Sequence, residues 1–340
     1  MAADRSPKAP RRPTISDVAR RAGVSTGTVS RYLNGGHWVS ESSAEAVRTA
    51  IEKTGYVASP TARQLRTGRS GTVAFLVDEE PAAFFGDPTF ESLVASVSDA
   101  LAARDMSMVV LLAGNAEQAR RAVEFLSSGA VAGVVTASIH PTHGTLEKIL
   151  DQEIPVVNCG YPRTMAERVS YVMGDEAMGG RLMAEHLRER GARRMGVIAG
   201  PADSPGGTLR LDAFRRAAGG LLPDPNVRFG DYTREAGQRF AAELLDADPG
   251  IDAIFAASDV MAAGVLDTAT ERDAAVPGQL LVGGFDDSLV ATSVEPALTT
   301  IRQPFDRIST ELVSVLLREI SDGYRSAVTV PVELVTREST

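Results

Sequence analysis

The chain has 340 residues, of which 44% are hydrophobic and 23% are charged, a composition typical of a globular protein with two or three domains. Three features argue against a membrane protein, a secreted protein and a disulfide scaffold. Its apolar runs fall short of the roughly 20 residues of a membrane helix, its basic N-terminus lacks the apolar stretch of a secretory signal, and Cys159 is its single cysteine. We therefore expect a cytoplasmic protein.

The charge is distributed unevenly along the chain. Residues 1–70 hold 12 Lys+Arg and 5 Asp+Glu, a balance of +7, whereas the remaining 270 residues have a balance of −16. A basic segment is attracted to an anionic polymer, and an acidic one is repelled by it. The asymmetry favours a nucleic-acid-binding head on an acidic body, although a solvated basic tail would give the same charge.

The first predicted helices are short and follow one another closely. Thr14 offers a hydroxyl cap for a first helix, and Gly23 can adopt the left-handed conformation that ends it. Ser25 can cap a second helix. Two short helices joined by a glycine-containing turn predict a helix-turn-helix. We expect a third helix from Ser40 to Thr54, with Gly55 as its stop.

The outward face of the second helix carries small or polar side chains, which permit a close approach to the major groove of DNA. Arg31 on this face can reach a guanine edge. Together with the two helix caps, these side chains are the predicted DNA-contacting residues of the head: Thr14, Ser25, Thr26, Gly27, Thr28, Ser30, Arg31 and Asn34.

Two segments of the head resemble the LacI/GalR repressor family in both order and spacing. They are Thr14–Asn34, with the sequence TISDVARRAGVSTGTVSRYLN, and Gly55–Leu65, GYVASPTARQL, which is similar to the family's hinge helix. The resemblance implies that Thr26, Gly27 and Arg31 occupy base-reading positions. It also implies that two hinge helices insert Leu65 into the minor groove as a wedge. Because Thr26-Gly27 differs from better-known members, the resemblance implies no particular operator sequence.

Two other features of the head have competing interpretations. Gly23–Gly27 matches the G-x-S-x-G pattern of hydrolase nucleophiles, but that motif requires a strand before the serine. A helix is predicted there, and Ser25 is already explained as a cap. Trp38, in the loop before the third helix, is expected to pack on the head or against phosphate instead of reading a base.

From residue 71 onward, apolar runs of strand length alternate with helical patterns, which predicts parallel sheets covered by helices on both faces. About 270 residues exceed what one such sheet needs, so we expect two similar lobes with a ligand cleft at their strand ends. The predicted strands are Thr72–Val77, Met108–Leu112, Gly133–Val135, Pro155–Asn158, Met195–Ile198, Ala253–Ala256 and Leu280–Val282. The predicted helices include Glu117–Leu126, Met178–Arg190, Leu209–Ala218, Glu235–Leu245 and Val260–Glu271.

Four blocks of the body resemble the family's effector domain, which is related to periplasmic sugar-binding proteins. In family order they are Val172–Leu182, Ile198–Pro201, Leu281–Asp287 and Leu298–Pro304. The resemblance implies a two-lobed fold in which Arg210 and Asp286 bind sugar hydroxyls, since a guanidinium donates and a carboxylate accepts hydrogen bonds. We expect both residues on loops at strand ends, facing each other across the lobes. The alternative is that each is a surface or lobe-bridging charge.

Three more residues occupy positions that the resemblance associates with the effector. Phe90 is carried over as a stacking ring from a common Phe-Phe pair. Tyr232 stands at an often aromatic position, with a role in loop structure as the alternative. Ser258 replaces an asparagine that binds ligand in many members. The predicted effector-binding residues are therefore Phe90, Arg210, Tyr232, Ser258 and Asp286.

Other motifs of the body are weak. His140 and His143 resemble a metal pair, but they lack a third ligand nearby, so a surface loop is favoured. Cys159 follows an apolar strand, as a small buried residue does. Residues 200–207 are glycine-rich but have no Walker lysine, so a cleft loop is expected. We predict no catalytic site, metal site or cofactor.

These features predict a small all-α helix-turn-helix head and an α/β two-lobed, periplasmic-binding-protein-like body with parallel sheets. The expected segments are a disordered basic arm at 1–13, the DNA-binding domain at 14–58, a hinge helix and linker at 59–70, and an effector-binding and dimerisation domain at 71–340.

The expected function is that of a homodimeric transcriptional regulator, a repressor, which binds a pseudo-palindromic double-stranded operator under the control of a sugar-like effector. A sugar-processing enzyme with an appended head is the alternative. It would need an acid/base pair, and no motif identifies one. A sugar-transport protein is a third possibility, against which the basic head and the lack of a signal peptide argue.

Overall fold

The computed structural model describes residues 13–33, 38–56, 70–140 and 144–340. These fall into two compact units, with the division between Ser70 and Gly71. The predicted arm up to residue 12, the predicted hinge helix, Asn34, Leu65 and His143 lie outside the described residues. Within the described part, the helices are too short or too polar to cross a membrane.

The described residues of the first unit, 13–33 and 38–56, form three helices, which confirms the predicted helical head. They are α1 (Ile15–Ala22), α2 (Thr26–Leu33) and α3 (Glu41–Thr54). The backbone N–H of Thr14 donates to the carboxylate of Asp17 over 2.9 Å at the start of α1. Gly23 and Gly55 end α1 and α3 with φ angles of 70° and 64°, which glycine adopts without steric cost. The helices bury a small core of Val18, Ala19, Val29, Val47 and Ala50.

The first lobe of the second unit is built on a six-stranded parallel sheet. Its strands in spatial order are β11 (Ala327–Val330), β5 (Ser170–Gly174), β4 (Val156–Cys159), β3 (Gly133–Ala137), β1 (Thr72–Val77) and β2 (Ser107–Leu112). Its helices are α4 (Pro81–Gly86), α5 (Pro88–Ala102), α6 (Ala116–Ser127), α7 (Thr145–Leu150) and α13 (Phe305–Asp322). Because side chains alternate along a strand, Phe75 packs on α5 and α13 while Leu76 packs on α6 and α7.

The second lobe has a four-stranded parallel sheet with the spatial order β7 (Val227–Phe229), β6 (Met195–Ala199), β8 (Ala253–Ala256) and β9 (Leu281–Gly283). Its helices are α8 (Glu176–Glu189), α9 (Pro205–Ala218), α10 (Arg234–Ala247), α11 (Asp259–Glu271) and α12 (Leu289–Ser293). An antiparallel pair, β10 (Thr300–Arg302) and β12 (Glu333–Val335), lies beside it. One core packs against α8 and α9, and another against α10 and α11.

The two sheets confirm the predicted α/β fold. All seven predicted strands form, with ends that differ by at most two residues. The short strands β5, β7, β10, β11 and β12 were not predicted, because they are edge or mixed polar segments without a continuous apolar run. The long helix α13 is a further difference from the predicted helices, although Ile308, Leu312 and Leu316 repeat at helical spacing before Gly323.

The chain crosses between the lobes three times. Asp175 alone joins β5 of the first lobe to α8 of the second. Gln303 and Pro304 join β10 to α13, and residues 331–332 join β11 to β12. Three short connections at one place allow the lobes to rotate against each other as rigid bodies, the usual basis of hinge closure.

Candidate functional site

The recognition face of the head is built from small side chains and one long cation. Thr26, Gly27 and Arg31 on α2 are exposed, whereas Thr28 and Ser30 are half-buried. Arg31 Nε donates to the carbonyl of Gly27 over 3.3 Å, so its guanidinium lies along the helix surface. Such a face can approach a base edge closely and offers one group able to donate to guanine.

The two predicted caps of the head take part in its own hydrogen bonds. Ser25 Oγ accepts the backbone N–H of Thr28 at 3.1 Å. Thr14 Oγ1 donates to Asp17 Oδ2 at 2.7 Å. Both side chains therefore stabilise helix starts.

Trp38 is 87% exposed in the head. Packing on the head, one of the two roles expected for this indole, is therefore wrong. An exposed indole ring in a basic unit is available to a partner. Contact with DNA phosphate is the expectation that stays open.

Arg210 is the centre of a buried charged cluster in the second lobe. Its side chain is attached to α9 and its residue is only 7% exposed. Arg210 Nε donates to Glu176 at 2.5 Å, and Nη1 donates to the carbonyl of Ala257 at 2.6 Å. The guanidinium carbon lies 3.7 Å from the centroid of the Phe285 ring. Burial opposes the charge, but Glu176 and Asp286 raise the pKa of Arg210, so it stays protonated.

Asp286 follows β9 in an unusual backbone conformation, with φ of 107°. Its carboxylate accepts Gln303 Nε2 at 2.8 Å and lies 3.8 Å from Arg210 Nη2. Burial raises its pKa above the usual range of an aspartate, with Arg210 opposing the shift and Asp87 adding to it. A non-glycine residue in this region is strained, and such strain concentrates at functional sites.

The predicted placement of this pair is wrong in two respects. Arg210 belongs to helix α9 (Pro205–Ala218) instead of a loop, in agreement with the predicted helix Leu209–Ala218, which already contains it. Arg210 and Asp286 also belong to the same lobe, where they lie side by side. From the first lobe, the carboxylate of Asp87 acts on Asp286. Asp87 Oδ1 also accepts the backbone N–H of Thr89 at 2.8 Å and so caps α5.

Aromatic rings contribute to the first lobe near this carboxylate. Phe90 is half-buried in the first turn of α5, three residues after Asp87. Its ring centroid lies 5.4 Å from that of Phe84 on α4. Both rings pack against the hydrophobic core of the first lobe.

Tyr232 and Ser258 both have structural contacts in the second lobe. The Tyr232 hydroxyl lies 3.2 Å from Ser204 Oγ, and its ring covers Gly200 so closely that a Cβ there would overlap it. Ser258 is buried at the start of α11, where its Oγ accepts the backbone N–H of Met261 at 3.2 Å. Gly206 and Gly207 belong to the first turn of α9, so the expected cleft loop ends at Ser204.

His140 lies in the loop after β3, as expected, and its ring also connects the two lobes. Its Nε2 lies 3.1 Å from Glu79 Oε1 in the first lobe, and its Nδ1 lies 3.3 Å from Asp203 Oδ2 in the second. Hydrogen bonding to Glu79 raises the pKa of His140 to about 9, and Asp203 adds to the effect. A protonated ring can donate to both carboxylates.

The sequence alone indicates no role for Glu176, Gln303 or Asp87. The first two stand inside family-like blocks, and Asp87 precedes a proline at a helix start. Only their partners, which are distant in sequence, show that they belong to the charged cluster. Within the described residues there is no group of three metal-ligating side chains. Cys159 is half-buried at the end of β4, and burial raises the pKa of its thiol to about 12.

Two family profiles match the chain. Residues 14–59 match the profile for bacterial regulatory proteins of the lacI family, and residues 184–340 match a periplasmic binding protein-like domain. The chain is 38% identical to the HTH-type transcriptional regulator CelR of Thermobifida fusca over 336 residues, which cover 97% of this chain and 98% of the relative. It is 30% identical to the ribose operon repressor of Halalkalibacterium halodurans over 332 residues, 96% of this chain and 97% of that one.

Solved structures give the same result at full length. A complex of the transcriptional regulator CelR with cellobiose is similar with a TM-score of 0.77 and 35% identity, covering 97% of this chain and 100% of the other. A lac repressor dimer bound to operator and an anti-inducer has a TM-score of 0.84 over 97% of this chain and 99% of the other. Its 24% identity makes this second match a likeness of fold.

Proposed function

This chain belongs to the LacI family of bacterial regulatory proteins and is a DNA-binding transcriptional regulator, and on that premise we propose that a neutral sugar, bound between the lobes of its body, controls its affinity for operator DNA. The observation that carries the proposal is the buried pair of Arg210 and Asp286. Arg210 Nη2 and Asp286 Oδ1 are 3.8 Å apart. This spacing allows one ligand hydroxyl to accept from the first and donate to the second.

The remaining cleft residues suit a sugar ring. Phe90 supplies an apolar surface for the ring face, while Gln303 holds the carboxylate of Asp286 in place. Tyr232 and Ser258 are assigned supporting contacts, since their hydroxyls also cap or brace the second lobe. Sugars combine such apolar faces with hydroxyl edges, so both walls of the cleft are used.

The balance of charge favours a neutral sugar over a phosphorylated or acidic one. The Arg210 guanidinium already faces the carboxylates of Glu176 and Asp286. Asp87 adds a third carboxylate from the first lobe. An anionic ligand would meet net repulsion in a partly desolvated site, where charges interact more strongly than in water.

For the head, we propose that Thr26, Gly27 and Arg31 read bases, that Thr14, Ser25, Thr28, Ser30 and Asn34 approach the backbone, and that Leu65 enters the minor groove. The exposed small face of α2 supports the first assignment. One head of three short helices reads only a few base pairs, so the proposed unit is a homodimer on a pseudo-palindromic operator in the cytoplasm. The relatives reported above are regulators and repressors, which favours repression over the sugar-processing alternative.

Calorimetric titration of the full chain tests the effector assignment. The panel contains cellobiose, which is the ligand in the CelR complex, ribose and the anionic control glucose 6-phosphate. We expect heat of binding from a neutral sugar, lost in Asp286→Asn and retained in Asp224→Asn, whose side chain is 93% exposed. Binding of glucose 6-phosphate alone, or equal affinity in both variants, would contradict the assignment.

A further inference from the structure

Two side chains of the charged cluster lie at crossings between the lobes. Glu176 is the first residue of α8, directly after the single residue that joins it to β5 of the first lobe. Gln303 follows β10 at the second crossing, before α13 returns to the first lobe. The backbone at these crossings is itself hydrogen-bonded, since Asp175 N–H donates to the carbonyl of Val330 at 2.9 Å. Ligand groups and crossings are therefore neighbours in space.

Glu176 determines which part of Arg210 remains available. Its carboxylate, half of a buried ion pair, accepts Nε at 2.5 Å, while the carbonyl of Ala257 accepts Nη1 at 2.6 Å. The Phe285 ring lies against the guanidinium face. Nη2 points toward Asp286, at 3.8 Å. The guanidinium plane is thus fixed on three sides, which orients its free donor before any ligand arrives.

Gln303 holds the side chain of Asp286 in the same way that Glu176 holds Arg210. Its amide nitrogen donates to Oδ1 at 2.8 Å, and its own backbone N–H lies 3.4 Å from the Asp286 carbonyl. The other end of the same amide packs on the last residue of β5, because a Cβ on Gly174 would lie 2.6 Å from Gln303 Oε1. Gln303 therefore touches the ligand-side carboxylate and the first crossing at once.

We propose that Glu176 and Gln303 are positioning residues that hold Arg210 and Asp286 from two of the three lobe crossings, so that a hydroxyl bound between these groups changes the angle between the lobes. A ligand that draws Arg210 Nη2 and Asp286 together pulls on Glu176, the first residue of α8, and on Gln303, in the connection that leads into α13. This inference rests on the proposed effector site. It adds a physical connection between that site and the crossings between the lobes.

Amide hydrogen exchange of the full chain, with and without saturating cellobiose, provides the test. Peptides covering residues 174–176, 302–304 and 330–333 report on the crossings. The variants are Glu176→Gln and Gln303→Met. Their matched controls are Glu185→Gln, which breaks an exposed ion pair on the same helix, and Gln238→Met, which loses an exposed bond to Glu271.

In the wild-type chain and both controls, we expect cellobiose to protect the three crossings from exchange. In Glu176→Gln and Gln303→Met, this protection should be lost even at saturation, and cellobiose affinity should fall about tenfold or more. A purely structural role would lower thermal stability but leave the protection at saturation intact. Wild-type protection in either variant would therefore overturn the proposal.

A second measurement needs no ligand and separates this inference from the effector assignment. By NMR, Glu176→Gln should speed the solvent exchange of the Arg210 Nε–H, and Gln303→Met should raise the pH at which the Asp286 carboxyl titrates. If cellobiose fails to bind the wild-type chain but both changes occur, the effector assignment is wrong for cellobiose and the positioning roles stand. If neither signal changes, the positioning roles are wrong.

Discussion

Arg210 combines a binding role with a structural one, so its removal should affect folding as well as ligand binding. Arg210→Ala leaves the buried carboxylate of Glu176 and the carbonyl of Ala257 without their donor. Breaking a buried ion pair typically destabilises a protein by about 3–5 kcal/mol. We expect a loss of this order in chemical denaturation. Arg216→Ala, an exposed position on the same helix, is the control. Equal stability of the two variants would show that the ion pair contributes little.

His140 should make stability depend on pH in the alkaline range. Its pKa is raised from 6.5 to about 9 in the folded chain, mainly by Glu79. The folded state therefore binds a proton more tightly than the unfolded state. The stabilisation is complete below pH 6.5 and is lost as pH rises toward 9. It amounts to no more than about 3 kcal/mol. We expect the free energy of unfolding to fall over this range, and less so in His140→Gln. If the free energy of unfolding falls equally with pH in the wild-type chain and in His140→Gln, the shifted pKa of His140 is contradicted.

The sequence predicts which single residues belong to the site and their order along the chain. It does not predict which of them contact one another. The family-like blocks contain Asp286, Glu176 and Gln303, yet nothing in their spacing indicates that Glu176 would meet Arg210, 34 positions away. For the same reason the sequence does not predict the contacts of His140, whose carboxylate partners lie 61 and 63 residues away. A lone histidine in a polar loop has no local signal for a bridge between lobes. Such contacts are products of tertiary packing.

At the scale of elements, the site depends on how closely α8 and α9 approach. A Cβ on Gly180 of α8 would overlap the backbone carbonyl of Arg210 on α9. Gly180→Ala should therefore push the helices apart and destabilise the fold by roughly 1–3 kcal/mol, although alanine favours a helix. Denaturation of Gly180→Ala and of Gly220→Ala, where the added Cβ meets open space, makes the comparison. Stabilisation by Gly180→Ala would show that the helices adjust freely.

In the head, α2 is expected to carry the discrimination between DNA sequences. Arg31→Ala should weaken binding to the selected operator by about 1–3 kcal/mol and binding to random DNA very little. Fluorescence anisotropy with both duplexes at matched salt measures the two affinities. Equal losses on both duplexes would mean that Arg31 contacts phosphate. Arg48→Ala on α3, an exposed arginine away from α2, is the control.

Elements were predicted well where a local rule was sufficient. Caps at Thr14 and Ser25 and the stops at Gly23 and Gly55 fix the head helices, and continuous apolar runs fix the central strands. The errors occur at edges. β7 and β12 have three residues each with little burial, so they lack the apolar run that marks a central strand. The start of α9 was predicted late, because Pro205 and two glycines look like a loop until Ser204 is seen to cap them.

At the scale of the whole molecule, the two parts of the chain carry opposite net charges. The basic first 70 residues and the acidic remainder could be assigned from sequence, as could the presence of two parallel sheets. The order in which the chain passes between the two lobes could not be predicted from the sequence. The strands β5 and β11 complete the first sheet although other lobe segments separate them in sequence, and this produces the three crossings. The proposed ligand-binding side chains Arg210 and Asp286 lie near these crossings, which is the basis of the proposed link between ligand binding and the lobe angle.

Control of operator binding by a neutral sugar is tested by an anisotropy titration of the full chain on an operator that the chain itself selects from random DNA. The titration is repeated with each sugar of the panel at a fixed salt concentration. We expect a neutral sugar to change the operator Kd by about tenfold or more. We expect Asp286→Asn to remove this change without altering the Kd in the absence of sugar. An operator Kd that no neutral sugar changes, or that changes equally in Asp286→Asn, would show that the cleft does not control DNA binding.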